Sequence, residues 1–122
     1  MNRSSVTPAG ALLLTGTVGS GKTSVADAIG DLLSHAGIAN AVIDVDWLRH
    51  SWPCPPEDPF NGKLALRHLS AVARNYLQAG VARLVLAGVI ESRAARVEDV
   101  VVDATTTSIR STAEAVMAAV GW

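Results

Sequence analysis

The sequence predicts an α/β fold: a short parallel sheet flanked by helices in three layers. Two observations predict it. Four short runs, Ala11–Leu14, Ala41–Val45, Arg83–Ala87 and Val100–Asp103, are apolar on successive residues rather than on alternate ones, the pattern of strands buried on both faces. Helical patterns separate most of these runs, and alternating strands and helices imply parallel pairing through right-handed crossovers. The chain has 122 residues, which suits one domain (1–122) with its own core.

Taken in order, the first run leads into Gly16-Thr17-Val18-Gly19-Ser20-Gly21-Lys22-Thr23. This stretch fits G-x-x-x-x-G-K-[ST] at every defined position, and strand–loop–helix is the context that motif requires. The first helix follows from about Lys22 to Ala36, with Val25, Ala26, Ala28, Ile29, Leu32 and Leu33 at helical spacing. Gly37 is a good terminator. The second strand ends in Asp44-Val45-Asp46-Trp47-Leu48-Arg49. Ser51–Asn61 holds four prolines and reads as a loop. The second helix spans about Gly62 to Ala79, with Leu64, Leu66, Leu69, Val72, Ala73, Tyr76 and Leu77 suited to one face. After the third strand, Glu91–Glu98 has room for two helical turns at most, which is short for a parallel crossover. The last helix covers roughly Ser108 to Val120, with Ser111 and Glu114 at capping-box spacing.

Composition narrows the function. Formal net charge is −1, so no basic excess tracks a nucleic-acid backbone. No apolar run approaches the length of a bilayer span. The single cysteine, Cys54, excludes an intrachain disulfide and suits a reducing cytoplasm. Residues 1–10 lack the pattern of a signal peptide. His35, His50 and His68 are scattered without metal-ligand spacing. Cys54 stands between prolines with no neighbouring base. Trp47 and Trp52 flank the second strand's polar end, either as an apolar wall or as packing beneath the proline loop. Trp122 reads as a packing anchor for the last helix.

The glycine loop predicts nucleotide binding and a three-layer P-loop NTPase fold. Backbone N–H groups of Gly16 to Gly21, with the positive end of the next helix, form a nest for a β-phosphate. Lys22 reaches the β- and γ-phosphates, the Thr23 hydroxyl ligates Mg²⁺, and Ser24 closes the binding segment. The chain has only two lysines, and one falls here. Ligands of open parallel sheets sit at the carboxyl ends of the strands. A strand geometry places Asp44 and Asp46 on one side. Asp46 is the candidate to orient an acceptor hydroxyl, Arg49 to hold the acceptor through its planar fork of donors, and Asp44 to order Mg²⁺ through water. Asp44 could instead cap the strand, and Arg49 pair with a surface carboxylate.

Gly16–Thr23 followed by Asp44-x-Asp46-x-x-Arg49 resembles the small P-loop kinases. The pattern is similar to that of adenylylsulfate kinase, in which L-D-G-D-x-x-R follows the P-loop helix; chloramphenicol phosphotransferase and gluconate kinase are related in pattern. The resemblance implies ATP and Mg²⁺ as cofactors, a small hydroxylated acceptor in contact with Asp46 and Arg49, and an adenine-side loop at Asp103–Thr106, including Thr105. It implies the strand order second–third–first–last. It also implies a cytoplasmic monomer or homodimer. Two features depart from the family. Val45 stands where the family has glycine. Only Arg93, Arg96 and a few other residues stand where it has an arginine-rich lid and a further strand. The expected function is phosphoryl transfer from ATP to a small hydroxylated metabolite; the alternative is a nucleotide-binding domain without catalysis. A GTPase lacks support, since no N-K-x-D stretch occurs. A motor lacks support as well, since no second apolar strand ends in Asp-Glu.

Overall fold

In a computed structural model of the chain, residues 10–15, 21–88, 98–101 and 109–122 are described. Strand β1 (Gly10–Thr15) is followed by helix α1 (Lys22–His35), β2 (Asn40–Asp44), a 3₁₀ turn (Val45–Arg49), α2 (Gly62–Gln78), β3 (Arg83–Ala87), β4 (Glu98–Val101) and α3 (Ile109–Ala119). The sheet order is β2-β3-β1-β4, and every pairing is parallel. This is the expected order, with the last strand directly against the first.

The successive apolar residues divide between two faces because side chains alternate along a strand. Leu12, Leu14, Val85 and Ala87 face α1 and α3, where Val25, Ile29, Leu33, Ala113 and Val116 complete one cluster. Leu13, Ile43, Leu84 and Leu86 face the other way, with Val45 and Leu69 of α2. Burial on both faces is what makes the strands read as continuous apolar runs. All three helices end in the same hydrogen-bonded motif, with Gly37, Gly80 and Gly121 at positive φ. In α1, Gly37 N–H donates to Ser34 O and Ile38 N–H to Leu33 O, at 3.0 and 2.9 Å.

Three expectations need correction. The second strand stops at Asp44, so Asp46 lies in the 3₁₀ turn rather than on the same face of a strand as Asp44. The last strand is Glu98–Val101, two residues earlier than the valine run suggests, because Leu12–Thr15 of β1 sets the register. Ser111 lies inside α3, which starts at Ile109, so Ser111 and Glu114 do not form a capping box. The pair that does form on that helix is Arg110–Glu114, at 3.7 Å on the exposed surface. Trp122 anchors the end of α3 as expected: it packs against the α1/α3 cluster, and the Arg83 guanidinium lies 5.2 Å from its ring centre.

Candidate active site

The parallel register brings the strand ends into one row. Asp44 of β2 is opposite Ala87 of β3, and Ala87 is opposite Leu14 of β1. Two strand spacings of ~4.8 Å therefore separate the end of β2 from the strand that feeds the glycine loop. That gap of about 10 Å lies between the two groups of candidate residues.

On the β1 side, Gly21 caps α1 with φ 88°. Its carbonyl accepts from Val25 N–H at 2.9 Å, which starts the helix. Lys22 and Thr23 follow in the first turn, Lys22 half-buried, Thr23 and Ser24 exposed. First-turn N–H groups have no partner within a helix, so this end favours an anion. Gly16, Thr17, Val18, Gly19 and Ser20 lie outside the described residues. So do Thr105, Arg93, Arg96 and the Glu91–Arg93 and Asp103–Thr107 stretches.

On the β2 side, Asp44 Oδ1 accepts from Asp46 N–H at 3.1 Å. This short bond turns the chain out of the strand, the capping role read as one possibility for Asp44. It leaves the other carboxylate oxygen outside this contact. Val45 points into the sheet and is 1% exposed, so the residue replacing the family's glycine is a core anchor and does not crowd the polar face. Asp46 leans back over the end of β3. A Cβ on Gly88 would stand 3.0 Å from Asp46 Oδ1 and 3.0 Å from Val45 Cβ. Gly88 has φ 145°, and its N–H donates to Leu14 O at 3.1 Å. Only a residue without a side chain lets the Asp46 carboxylate occupy this place, between β2 and β1. Arg49 is half-buried at the end of the 3₁₀ turn.

Two features that shape the candidate site escaped the sequence reading. Gly88 is one; its signal is a glycine directly after a fully apolar strand. Asn61 is the other. It is 1% exposed and has φ 54°. Its Nδ2 reaches Arg49 O at 3.0 Å, Ser51 O at 3.1 Å and Ser51 Oγ at 3.1 Å. It thus ties the proline loop to the end of the 3₁₀ turn, while Asp58 accepts from Lys63 and Leu64 N–H at the start of α2. Trp47 and Trp52 are 69% and 90% exposed and do not pack beneath the proline loop. Cys54 is an exposed free thiol. Among the described residues no cluster of three or more His, Cys, Asp or Glu could hold a metal ion, and no helix is long and apolar enough to cross a membrane.

The adenylylsulphate kinase family model matches residues 9–105. The chain belongs to this family. Its structure is similar to that of a variant of the Mycobacterium tuberculosis APS kinase CysC, with a TM-score of 0.67 and 25% sequence identity, over 96% of this chain and 100% of that one. A second similarity, to a protein designated APE1195, has a TM-score of 0.45 and 25% identity over 95% of this chain and 57% of that one. A comparison with curated proteins found no match. The chain is accordingly a P-loop, ATP-binding, kinase-like protein.

Proposed function

We propose that this chain, as a single nucleotide-binding domain, binds ATP with Mg²⁺ and presents the γ-phosphoryl group to a small hydroxyl-bearing acceptor. The observation that carries this reading is the place of Asp46, whose carboxylate overlies Gly88 at the end of the strand between β2 and β1. Lys22 neutralises β- and γ-phosphate charge, aided by the N-terminus of α1 and the loop Gly16–Gly21. Thr23 and Asp44 offer the hard oxygen donors that Mg²⁺ prefers, and the ion would supply charge neutralisation across the phosphates. Asp46 orients the acceptor hydroxyl and receives its proton. Arg49 holds the acceptor through paired N–H groups, and Thr105 lies on the adenine side.

A second reading, nucleotide binding with slow transfer, is favoured by one specific feature. Only ten residues, 88–97, join β3 to β4, and Arg93 and Arg96 are their only arginines. Loss of a comparable electrostatic donor costs about 10²–10³ in rate in other enzymes. The reading sets the chain in the cytoplasm, as a monomer or homodimer.

Titration calorimetry with ADP and ATP tests the shared part. Lys22→Ala should weaken binding by about 1–3 kcal/mol, the range for a lost charge-assisted hydrogen bond. Unchanged ADP affinity in that variant would refute it. A phosphate-transfer screen on hydroxylated metabolites then separates the two readings: transfer lost in Asp46→Asn supports catalysis, and tight ATP binding without transfer supports the second.

A further inference from the structure

The 3₁₀ turn presents two faces, and phosphoryl transfer uses only one. A 3₁₀ helix has three residues per turn, so residues i and i+3 eclipse. Asp46 and Arg49 therefore share one face, and Trp47 shares the next with His50. The second pairing is visible directly: the Trp47 and His50 ring centres are 5.0 Å apart, with the planes tilted by 35°. This aromatic face lines an open cavity of about 300 Å³ between the turn and α2. Leu48 and Val72 contribute apolar lining, and His50, Ser51 and His68 polar groups.

The lining selects a chemical class. The exposed indole of Trp47 offers a flat apolar face, which favours a planar ring over a puckered one. Each imidazole carries at least one N–H in any protonation state. The Ser51 oxygen already accepts from Asn61 Nδ2, which leaves its hydrogen to donate outward. Among the described residues, no Asp or Glu lines the cavity, which suits an anion. The volume is at the small end of ligand pockets, which run about 300–1,000 Å³, and suits one ring with a substituent.

We infer that this cavity is a binding site for a single-ring aromatic carboxylate, stacked on Trp47 with its oxygens toward His50, His68 and Ser51. The site is distinct from the nucleotide loop and does not depend on phosphoryl transfer.

The test is an NMR titration of the ¹⁵N-labelled full chain with benzoate. Saturable shifts should appear at the Trp47 indole N–H and at the amides of His50, Ser51, His68 and Val72. Cyclohexanecarboxylate, equal in charge but without a flat face, should bind about tenfold more weakly, and Trp47→Ala should weaken benzoate by a similar factor, as expected for one lost stacking contact. Trp47→Phe should retain binding. Trp47 is exposed to solvent, and the spectrum of each variant reports whether the fold is kept. Lys22→Ala should leave benzoate binding unchanged. Equal binding of the two acids, an unaffected Trp47→Ala variant, shifts confined to the start of α1, or binding lost in Lys22→Ala would each overturn the inference. The last two results would place the carboxylate in the phosphate loop instead.

Discussion

Asn61→Ala should be among the most damaging single truncations outside the apolar core. The Asn61 side chain is buried, and its Nδ2 has two hydrogens for three acceptors: Arg49 O, Ser51 O and Ser51 Oγ. Two hydrogen bonds' worth of stabilisation is therefore at stake, about 1–3 kcal/mol at 0.5–1.5 each. Its φ of 54° adds a second term. Left-handed backbone costs an ordinary residue about 1–2 kcal/mol, while asparagine tolerates it. The two together give about 2–5 kcal/mol for alanine, measured as the shift in urea midpoint at constant m-value. Asn61→Gly separates the terms: it loses the side-chain bonds but keeps the backbone, so it should recover about 1 kcal/mol relative to alanine. Asn61→Asp keeps size and backbone but turns a carboxylate oxygen toward two carbonyl oxygens, and should be no better than alanine. The backbone bonds Asn61 N–H to Asp58 O and Ala65 N–H to Asn61 O remain in every variant, so α2 should persist. An alanine variant within about 0.5 kcal/mol of the parent, the range of ordinary surface substitutions, would refute this account.

Two further outcomes are expected. Gly88→Ala places a Cβ 3.0 Å from Asp46 Oδ1 and Val45 Cβ at a φ few side chains adopt; it should destabilise by about 1–3 kcal/mol and reduce any phosphoryl transfer more than ADP affinity, and a variant of parental stability would show that the turn is not held against β3. Gly30→Ala would ordinarily stabilise a helix by up to about 1 kcal/mol, but here the new Cβ meets Val42 Cγ2 at 2.7 Å and Asn40 Oδ1 at 3.2 Å. Overpacking should win by about 1–2 kcal/mol in thermal unfolding, and the sign should reverse in a Val42→Ala background; a more stable single variant would contradict the close approach of α1 to β2.

Much of this arrangement was legible in the sequence because local signals and burial agree. β3 runs over the residues the apolar pattern marks, and α1 and α2 stop two residues before their glycine signals, Gly37 and Gly80. The glycine loop marked the family, since its spacing carries the chemistry. The geometry of Asp46 was not legible in the same way. Reading it as a strand residue ignored the preference of aspartate to accept from the N–H two residues on, the contact that Asp44 makes with Asp46. The start of β4 was misplaced by two residues because Glu98 and Asp99 carry no apolar signal, and pairing with β1 brings them into the strand. Asn61 could not be found locally at all. Its partners lie 10 and 12 residues away, and only tertiary packing brings them to it.

The 3₁₀ turn points two proposed chemistries in different directions. Val45 is its anchor, sunk among Leu13, Ile43, Leu69, Leu84 and Leu86. With that residue fixed in the core, the following four cannot rotate about the chain axis, and each residue type is assigned a direction. Asp46 is sent over Gly88 at the end of β3, and Trp47 toward the cavity lined by His68 and Val72 of α2. Asn61 then fixes the far end through the Arg49 carbonyl. A glycine at position 45 would leave this orientation to the hydrogen bonds alone. Valine adds burial worth about 1.5–3 kcal/mol when complete. Val45→Gly should therefore cost stability first. It should also loosen Asp46 and Trp47 together, so that ring shifts at Trp47 and phosphate-transfer rate, where transfer occurs, change in the same variant. Independent behaviour of the two faces in Val45→Gly would show that the core anchor does not set their directions.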